Sequence, residues 1–585
     1  MRRNPEASPA SQFHPSRRRI PLRWILAAIG AVLLVTAALA ALDAWRINRE
    51  LRAGRAGFSA VASGEVPLDD RAGTAARDAA RHVTVARARA DESPWIGLWS
   101  RVPIAGRPAR WIRNAVAATD AVAEAGVATL DALLPGLEEV SSPGGRLQLL
   151  SLLSERTAAL RSVVDRARIP APHTIFPPLP PVEDAHRELV SSLTRLHDTL
   201  GRGEAVARGL HEMLTGPSRY LILAANNAEM RSGGMVLQIG VLESSGGDMD
   251  AGDFRSTGNS VLPRAVPLPA ELSTLYGFLE PGLEWRNTGS SPNFPAVAPV
   301  YAAMAARAGL GEVDGVLQID VVALRHILGV LGAVTAGDRR YDATNVERLV
   351  MHDLYVAVGE AQDLRRLEFS GLAEATFQGL NDRKWDAAAM VRALGDAAAG
   401  RHMLAWSRHP AQQAAWIAAG VNGTLEPDGL MVSVQNHGGN KLDWFLRVGG
   451  RLDVRPRPGG WHRVSVSVDI TNRYPNGEPP YVIGDGSAAP AGSYRAFVTF
   501  YLPSWATNAE LNGAPVIAVG TDGPMRVLGG RVDIPRGTTT RLTIEFSAPP
   551  AEDRIVLLPS ARAKPVSFRV PDGTIVDDRR RFIEL

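Results

Sequence analysis

The sequence predicts a multidomain α+β protein with an N-terminal transmembrane helix, an α-helical stalk or bundle, a central α/β domain and a C-terminal β-sandwich. Three observations lead to this prediction. An uncharged segment of 19 residues lies near the N-terminus, helical periodicity continues to about residue 215, and short strand-like segments dominate after about residue 425. With 585 residues, of which 45% are hydrophobic, the chain can form several domains and bury their cores.

The first two segments are a basic tail over residues 1–23 and an apolar run without charges over residues 24–42. A helix that spans a bilayer needs about 20 apolar residues, so this run predicts a transmembrane helix. The tail carries six arginines and a net charge of +5, and basic residues favour the cytoplasmic side. We therefore expect a single-pass plasma-membrane protein with a cytoplasmic N-terminus and an extracytoplasmic bulk. A signal peptide cleaved near residues 38–40 stays open as the alternative.

Composition excludes several classes of function. The net charge of +3 belongs to the tail, because the other 562 residues carry a net −2. No nucleic acid is therefore expected as a partner, despite the high isoelectric point. The absence of cysteine excludes disulfides, thiolate metal sites and a cysteine nucleophile. Motifs for a phosphate-binding loop, a dinucleotide-binding turn, a hydrolase nucleophile elbow and a zinc-protease helix are also missing.

The exported part divides into three by its pattern. Residues 43–215 carry apolar side chains at three- and four-residue spacing and predict an extracytoplasmic helical region. Within it, the six prolines of residues 169–182 predict an extended crossing between two helices. Residues 216–425 combine strand-like and helical segments and predict an α/β domain. Residues 426–585 hold short runs rich in Val, Phe, Tyr and Thr between Gly, Pro and Asn turns, which predict a β-sandwich.

One loop of the α/β domain is the densest polar segment between two strand-like runs, namely residues 225–234, ANNAEMRSGG. Its polar and glycine positions are Asn226, Asn227, Glu229, Arg231, Gly233 and Gly234. Ligands commonly bind at strand ends of α/β sheets, and the planar guanidinium of Arg231 suits phosphate oxygens. The residues equally allow a hydrogen-bonded hairpin in which Arg231 pairs with Glu229 or another acid.

Two further segments are weaker candidates. Arg365 and Arg366 are adjacent on a predicted helix, where successive side chains point about 100° apart, so one should face the sheet and the other solvent. Two ordinary surface arginines are the alternative. Residues 436–443, NHGGNKLD, contain one of only three lysines, and they predict a β-turn with a surface ion pair more strongly than a site.

Three segments together resemble a family of bacterial membrane proteins called domain of unknown function 4012. They are YLILAANNAEMRSGG, VDGVLQIDVVALRHILGVLG and GLMVSVQNHGGNKLDWFL. That family typically shows Asn-Asn-x-Glu-x-Arg-x-x-Gly-Gly after a strand, and here Ser232 alone separates the arginine from the glycines. The resemblance implies the architecture and a Gram-positive source, which the arginine- and alanine-rich composition narrows to an actinobacterium, but it assigns no activity.

A remoter resemblance bears on chemistry. The order of strand, arginine loop, strand, D-G-V-x-x-x-D and D-x-R-R is similar to the LytR-CpsA-Psr family. Those enzymes transfer a phospho-glycopolymer from a polyprenyl diphosphate lipid to the cell wall, with arginines on the diphosphate and acids on Mg²⁺. Asn226 and Asn227 depart from this pattern, because they stand where that family has an aspartate, and an amide is a poorer Mg²⁺ ligand and no base.

The second resemblance implies an extracytoplasmic cell-envelope protein that binds, or also transfers, lipid-linked phospho-glycans, with a cell-wall polymer as acceptor. The alternative is a non-catalytic scaffold or a partner in polysaccharide export or assembly, so whether the chain is an enzyme stays open. The candidates for diphosphate binding are Arg231, Arg365, Arg366, Asn226, Asn227, Gly233 and Gly234. The candidates for catalysis are Glu229 and Asp320. No cofactor is certain, and the candidates for binding Mg²⁺ are Glu229, Asp320 and Asp363.

Overall fold

The computed structural model describes residues 22–585 except residues 63–64, 104–105, 139, 141, 169–179, 360 and 576–578. The chain forms two compact units, Met1–Ala128 with Ser162–Leu196, and Thr129–Arg161 with His197–Leu585. Most of the predicted basic tail, residues 1–21, and most of the predicted proline-rich crossing lie outside the described residues.

Among the residues that the structure describes, six helices precede the first strand. They are α1 (Leu22–Ala62), α2 (Asp70–Glu92), α3 (Pro94–Ser100), α4 (Arg107–Glu138), α5 (Pro143–Arg166) and α6 (Pro180–Thr215). In α1, the stretch Ala31–Ala62 contains an 18-residue window with a mean hydropathy of 1.4, and the helix is long and apolar enough to cross a membrane. This supports a single N-terminal anchor by length and composition, while its orientation stays a prediction.

The second unit contains a mixed sheet with the strand order β3-β2-β1-β5-β8, in which β4 also pairs with β2. The strands, with a separate hairpin of β6 and β7, are β1 (Ser218–Asn226), β2 (Met235–Ser245), β3 (Asp248–Ala251), β4 (Arg255–Ser256), β5 (Gly315–Ile319), β6 (Val334–Ala336), β7 (Arg339–Tyr341) and β8 (Met403–Ser407). Strand β1 is antiparallel to β2 and parallel to β5. The carboxyl ends of β1 and β5 therefore meet at one edge, where ligands commonly bind.

Helices surround this sheet. They are α7 (Ala270–Tyr276), α8 (Trp285–Thr288), α9 (Phe294–Arg307), α10 (Val321–Leu331), α11 (Val346–Arg348), α12 (Leu354–Val358), α13 (Gln362–Asp382), α14 (Ala387–Ala399) and α15 (Pro410–Ala418). A π-helical segment, Leu349–Asp353, joins α11 to α12, and Gly359 with a φ of +53° ends α12. Residues 345–374 have a helical pattern in the sequence, and the structure divides that stretch into several helices.

The C-terminal part contains two six-stranded sheets, ordered β13-β16-β11-β10-β18-β19 and β14-β15-β12-β9-β17-β20. Their elements are β9 (Gly429–Asn436), β10 (Leu446–Pro456), β11 (His462–Asn472), α16 (Pro480–Ile483), β12 (Tyr494–Leu502), β13 (Thr507–Asn512), β14 (Val516–Asp522), β15 (Met525–Ile534), β16 (Thr539–Ala548), β17 (Arg554–Leu557), β18 (Ser567–Val570), β19 (Gly573–Ile575) and β20 (Arg581–Glu584). One hydrophobic core takes residues from both sheets. Strand β11 alternates buried and more exposed residues, as its RVSVSVD pattern predicts.

The mixed sheet and the C-terminal strands also share a hydrophobic core. Leu221 and Leu223 of β1 belong to the same buried cluster as Phe497 and Tyr501 of β12. Apolar burial of this kind is the main favourable contribution to folding, so it holds the two parts together as one unit. The carboxyl-edge loop after β1 is therefore placed against the C-terminal strands rather than facing open solvent.

Candidate functional site

The loop of residues 225–234 begins with a turn fixed by Asn226. Its Oδ1 accepts the backbone N–H of Ala228 at 2.8 Å, as asparagine commonly does in turns. Its Nδ2 donates to the carbonyl of Val350 at 3.1 Å and to the hydroxyl of Tyr355 at 3.0 Å. Asn226 thus fastens the end of β1 to the helical segment around α12.

Asn227 links this loop to Asp320, which follows the parallel strand β5. Its Nδ2 donates to Asp320 Oδ2 at 3.0 Å and to the carbonyl of Ala561 at 3.1 Å. Asp320 Oδ1 caps α10 by accepting two backbone N–H groups at 2.9 and 3.0 Å. His402 Nδ1 lies 2.7 Å from Asp320 Oδ2. Both oxygens of this buried carboxylate are therefore engaged by the protein.

Arg231 is buried and bonded to neutral oxygens. Its Nε and Nη2 donate to Asn287 Oδ1 at 3.1 and 2.8 Å, and its Nη1 donates to the carbonyl of Asn436 at 2.6 Å. Burial lowers the pKa of Arg231, partly offset by the charge of Glu229. In the described part of the chain Arg231 forms no ion pair. Its hydrogen bonds link the loop to α8 and β9.

The segment of residues 436–443 is the partner of the β1–β2 loop, which corrects its interpretation as a surface turn. Buried Asp443 accepts hydrogen bonds from Met230 N at 3.1 Å, Asn436 Nδ2 at 2.9 Å and the hydroxyl of Tyr494 at 2.9 Å. Its fourth donor is Arg562 Nη2 at 2.9 Å. This network joins the loop to the C-terminal sheets through buried polar bonds.

Next to these bonds lies a group of five residues that we name the cation cluster. Its members come from five segments and are Glu229, Tyr355, Arg365, Lys441 and Tyr481. Buried Lys441 forms an ion pair with Glu229, and its Nζ lies 5.5 and 5.2 Å from the ring centres of Tyr355 and Tyr481. Arg365 Cζ lies 4.9 and 4.7 Å from the same two centres. Two cations therefore share one pair of stacked tyrosine rings.

Neutral groups complete the contacts of Arg365. Its Nη1 donates to the carbonyl of Gly359 at 3.0 Å, and its Nη2 donates to the hydroxyl of Tyr481 at 2.6 Å. Burial raises the pKa of Tyr355, so this ring stays neutral and supplies no counter-charge at neutral pH. Glu229 is thus the carboxylate paired within the cation cluster.

The other predicted residues lie outside the ion pair of the cation cluster. Arg365 is buried against Tyr355 and Tyr481, whereas the side chain of Arg366 is 20% exposed and donates to Asp363 Oδ1 at 2.8 Å. The side chain of Asp363 is 89% exposed. The Gly233 carbonyl accepts Gln318 Nε2 at 3.0 Å, and Gly234 has a φ of +85°, which favours glycine.

The three candidate Mg²⁺ ligands do not form one site. No group of three or more His, Cys, Asp or Glu side chains that could hold a metal occurs among the residues that the structure describes. Asp320 is bound by four protein donors, Glu229 by Lys441 and Asp363 by Arg366. These donors do not fit a Mg²⁺ site, and no step is derived through the ion.

A cleft beside the mixed sheet borders the glycine end of the loop. Its cavity volume is about 10 Å³, the space of roughly one water molecule, and it is partly open to solvent. Apolar Phe294, Val297 and Leu404 line it together with polar Gln318 and Arg401. This volume is far below the ~300–1,000 Å³ of small-molecule pockets, so the cleft does not supply the apolar groove that the tail of a lipid-linked ligand would need.

The sequence analysis missed the aromatic half of the cation cluster. Tyr355 and Tyr481 stand in unremarkable local sequence and meet only in the folded chain. The sequence did draw attention to Lys441, since it is one of three lysines and lies in the polar segment of residues 436–443. Its partner Glu229 is more than 200 residues away, so the pairing could not be read from spacing.

The fold is that of a mixed α+β protein with an apolar N-terminal helix and several sheets. Residues 215–355 match the family model described as "Protein of unknown function (DUF4012)". No curated protein and no solved structure matches the chain. The matched segment contains the whole β1–β2 loop and ends at Tyr355. It supports the first resemblance over these residues, while the resemblance to the LytR-CpsA-Psr family stays a prediction.

Proposed function

We propose that this chain is a single-pass, extracytoplasmic protein of the bacterial cell envelope that binds a lipid-linked phospho-glycan through its diphosphate. One observation carries the proposal. Three buried cations, Arg231, Arg365 and Lys441, have one paired carboxylate, Glu229, within the described residues. Buried charge without a counter-charge is costly, and an anionic ligand would supply one.

The diphosphate would bind at Lys441 and Arg365 rather than at Arg231. By their distances to the Tyr481 ring centre, Lys441 Nζ and Arg365 Cζ lie no more than about 10 Å apart, so one diphosphate could contact both. Arg231 has its donors committed to Asn287 and to the carbonyl of Asn436. It would support the ligand site by holding the loop in place.

The contacts favour binding over transfer of the glycan. Transfer requires an acid or base that can exchange a proton with the acceptor hydroxyl. The carboxylate of Asp320 caps α10 and is also bonded to Asn227 and His402. Glu229 is paired with Lys441. Catalysis is therefore not part of the proposal, and the cell-wall polymer stays a predicted partner rather than an assigned acceptor.

A non-catalytic scaffold or polysaccharide-export partner is the second candidate. It is favoured by the buried network around Asp443, which fastens the β1–β2 loop to the C-terminal sheets. On this proposal the polar motif serves folding. The two C-terminal sheets, interpreted as a β-sandwich from their shared core, would bind the partner.

Calorimetric titration of the full chain in detergent with a short-chain polyprenyl diphosphate tests the proposal, with and without Mg²⁺. The variant Lys441→Gln removes a cluster cation, and Lys384→Gln makes the same change at an exposed lysine. We expect binding by the wild type, at least about tenfold weaker binding by Lys441→Gln, and no change for Lys384→Gln, because a charge-assisted contact contributes more than ~1 kcal/mol. No binding by the wild type, or equal binding by both variants, would contradict it.

Alanine at Arg231 does not provide this test. Its removal would leave Asn287 Oδ1 and the carbonyl of Asn436 without their donor in a buried position. A loss of binding would then not distinguish a ligand contact from a disordered loop. We therefore expect Arg231→Ala to reduce stability as well as binding.

A further inference from the structure

Glu229 has fewer polar partners than the buried acid Asp443. In the described part of the chain, Lys441 is its one hydrogen-bonding or ionic partner, whereas Asp443 has four donors. The Glu229 side chain is 16% exposed, against 1% for Asp443. An acid needed only for folding would be expected to resemble Asp443, with its acceptor positions filled.

The loop can keep its backbone while the Glu229 side chain moves. On one side Asn226 fixes the turn through Ala228 N, and on the other Met230 N is bound by Asp443. Only the torsions of a half-buried side chain therefore need to change, and staggered rotamers exchange readily. Its departure would expose Lys441 next to Arg365.

A further cation, Arg286, lies close enough to Glu229 for their charges to interact. The charge of Glu229 contributes to the raised pKa of Arg286, after the hydrogen bond and charge of Glu284, while burial opposes the rise. The side chain of Arg286 is partly exposed on α8. A displaced Glu229 carboxylate would therefore remain in favourable electrostatic surroundings near Arg286.

We infer that Glu229 is an internal competitor, whose carboxylate occupies the place of a ligand phosphate at Lys441 until a diphosphate displaces it. This inference rests on the proposed function and adds how the site is regulated and what it selects. Displacing a carboxylate of single charge favours ligands with more than one negative charge, so the site would take diphosphates in preference to monocarboxylates. The affinity seen in the wild type is reduced by the fraction of molecules in which Glu229 blocks Lys441.

The variant Glu229→Gln tests this competition with little change of shape. The control is Glu312→Gln, which breaks an exposed ion pair with Arg408 near the start of β5, at the opposite edge of the sheet. Each full-length protein is titrated by calorimetry in detergent with inorganic pyrophosphate and with a short-chain polyprenyl diphosphate. We expect Glu229→Gln to bind about tenfold more tightly than the wild type, equivalent to ~1.4 kcal/mol, and Glu312→Gln to match the wild type.

The outcomes separate this inference from the proposed function. Equal or weaker binding by Glu229→Gln, with binding by the wild type intact, would overturn the competitor role and leave the proposed function standing. No binding by any of the proteins would overturn both. A gain for pyrophosphate but none for the polyprenyl diphosphate would support the competitor and contradict a lipid-linked ligand.

A further variant excludes a merely structural effect. Glu229→Asp keeps the charge, so we expect it to bind no more tightly than the wild type, whereas a gain equal to that of Glu229→Gln would count against competition. Thermal unfolding of each variant shows that it is folded before titration. Pyrophosphate should raise the unfolding midpoint of Glu229→Gln more than that of the wild type, because a ligand stabilises the state that it binds.

Discussion

Replacing Asp443 with asparagine should destabilise the second compact unit strongly. Its carboxylate forms a buried ion pair with Arg562, whose side chain is 5% exposed. Burial by itself would lower the pKa of Arg562, and Asp443 raises it, so removing the carboxylate leaves burial unopposed. The guanidinium nevertheless stays charged, because arginine keeps its proton in proteins. Breaking a buried pair by removing one partner costs about 3–5 kcal/mol, because the remaining charge is left uncompensated.

The asparagine also places an NH₂ group, itself a hydrogen-bond donor, next to the donors that bind the carboxylate in the wild type. Met230 N and the hydroxyl of Tyr494 both point hydrogens at this carboxylate, and an asparagine side chain offers a single acceptor oxygen. The loss therefore includes weaker hydrogen bonds as well as the ion pair. We expect the upper part of the range above, with no contribution from a change in packed volume.

Thermal unfolding of the full chain in detergent, followed by near-UV circular dichroism, measures the effect. A loss of this size should lower the midpoint by roughly 5 °C or more, since ~1 kcal/mol corresponds to about 2–4 °C in domains of moderate size. The matched control is Asp363→Asn, whose carboxylate is exposed and whose ion pair should contribute about 0–1 kcal/mol. If Asp443→Asn melts no lower than Asp363→Asn, the buried network does not stabilise the unit.

Two other predictions follow from buried groups of the same unit. Burial lowers the pKa of His437 from 6.5 to about 3. Between pH 7 and pH 5 the unfolded chain therefore binds a proton that the folded chain does not, and the free energy of unfolding falls by about 2 kcal/mol. In His437→Phe the difference between the unfolding midpoints at these two pH values should be smaller than in the wild type. In Gly233→Ala the new Cβ would lie 2.4 Å from Gln318 Nε2. This clash should cost about 1–3 kcal/mol, measurable as a lower midpoint than that of Gly449→Ala in β10, where a new Cβ meets no atom within 4 Å, if the loop is as closely packed as its contacts indicate.

Local patterns predicted the elements that local physics decides. The alternation in β11 and the apolar run of α10 each appear where the sequence places them, and Asp320 caps α10 as aspartate commonly does. The helical pattern of residues 345–374 was less informative, because Gly359 and a π-helical turn interrupt it. The spacing of apolar residues cannot reveal an interruption of a helix when the interruption leaves that spacing nearly unchanged.

The sequence selected a candidate site but did not predict its contacts. The sequence identified the β1–β2 loop as the place to look, since it combines polar side chains with a strand end. It offered Glu229 as a partner for Arg231, whereas the structure pairs Glu229 with Lys441 and bonds Arg231 to Asn287 and Asn436. Such pairings join residues more than 50 and more than 200 positions apart, and only the packing of the sheets against each other brings them together.

The roles of the motif residues divide according to how completely the protein satisfies them. Asn226 and Arg231 have protein partners at hydrogen-bonding distance, so stability alone explains why these residue types suit their positions. Asn227 is satisfied only in part, because its Nδ2 donates to Asp320 whereas its buried Oδ1 has no hydrogen-bond partner among the described residues. Stability explains the Glu229–Lys441 pair less well. A buried ion pair contributes little net free energy compared with apolar side chains of similar volume, and this one brings a cation beside Arg365. Burying Lys441 and Arg365 close together costs free energy, and an anionic ligand that binds both cations would account for this cost. The proposals are therefore built on Glu229 and Lys441.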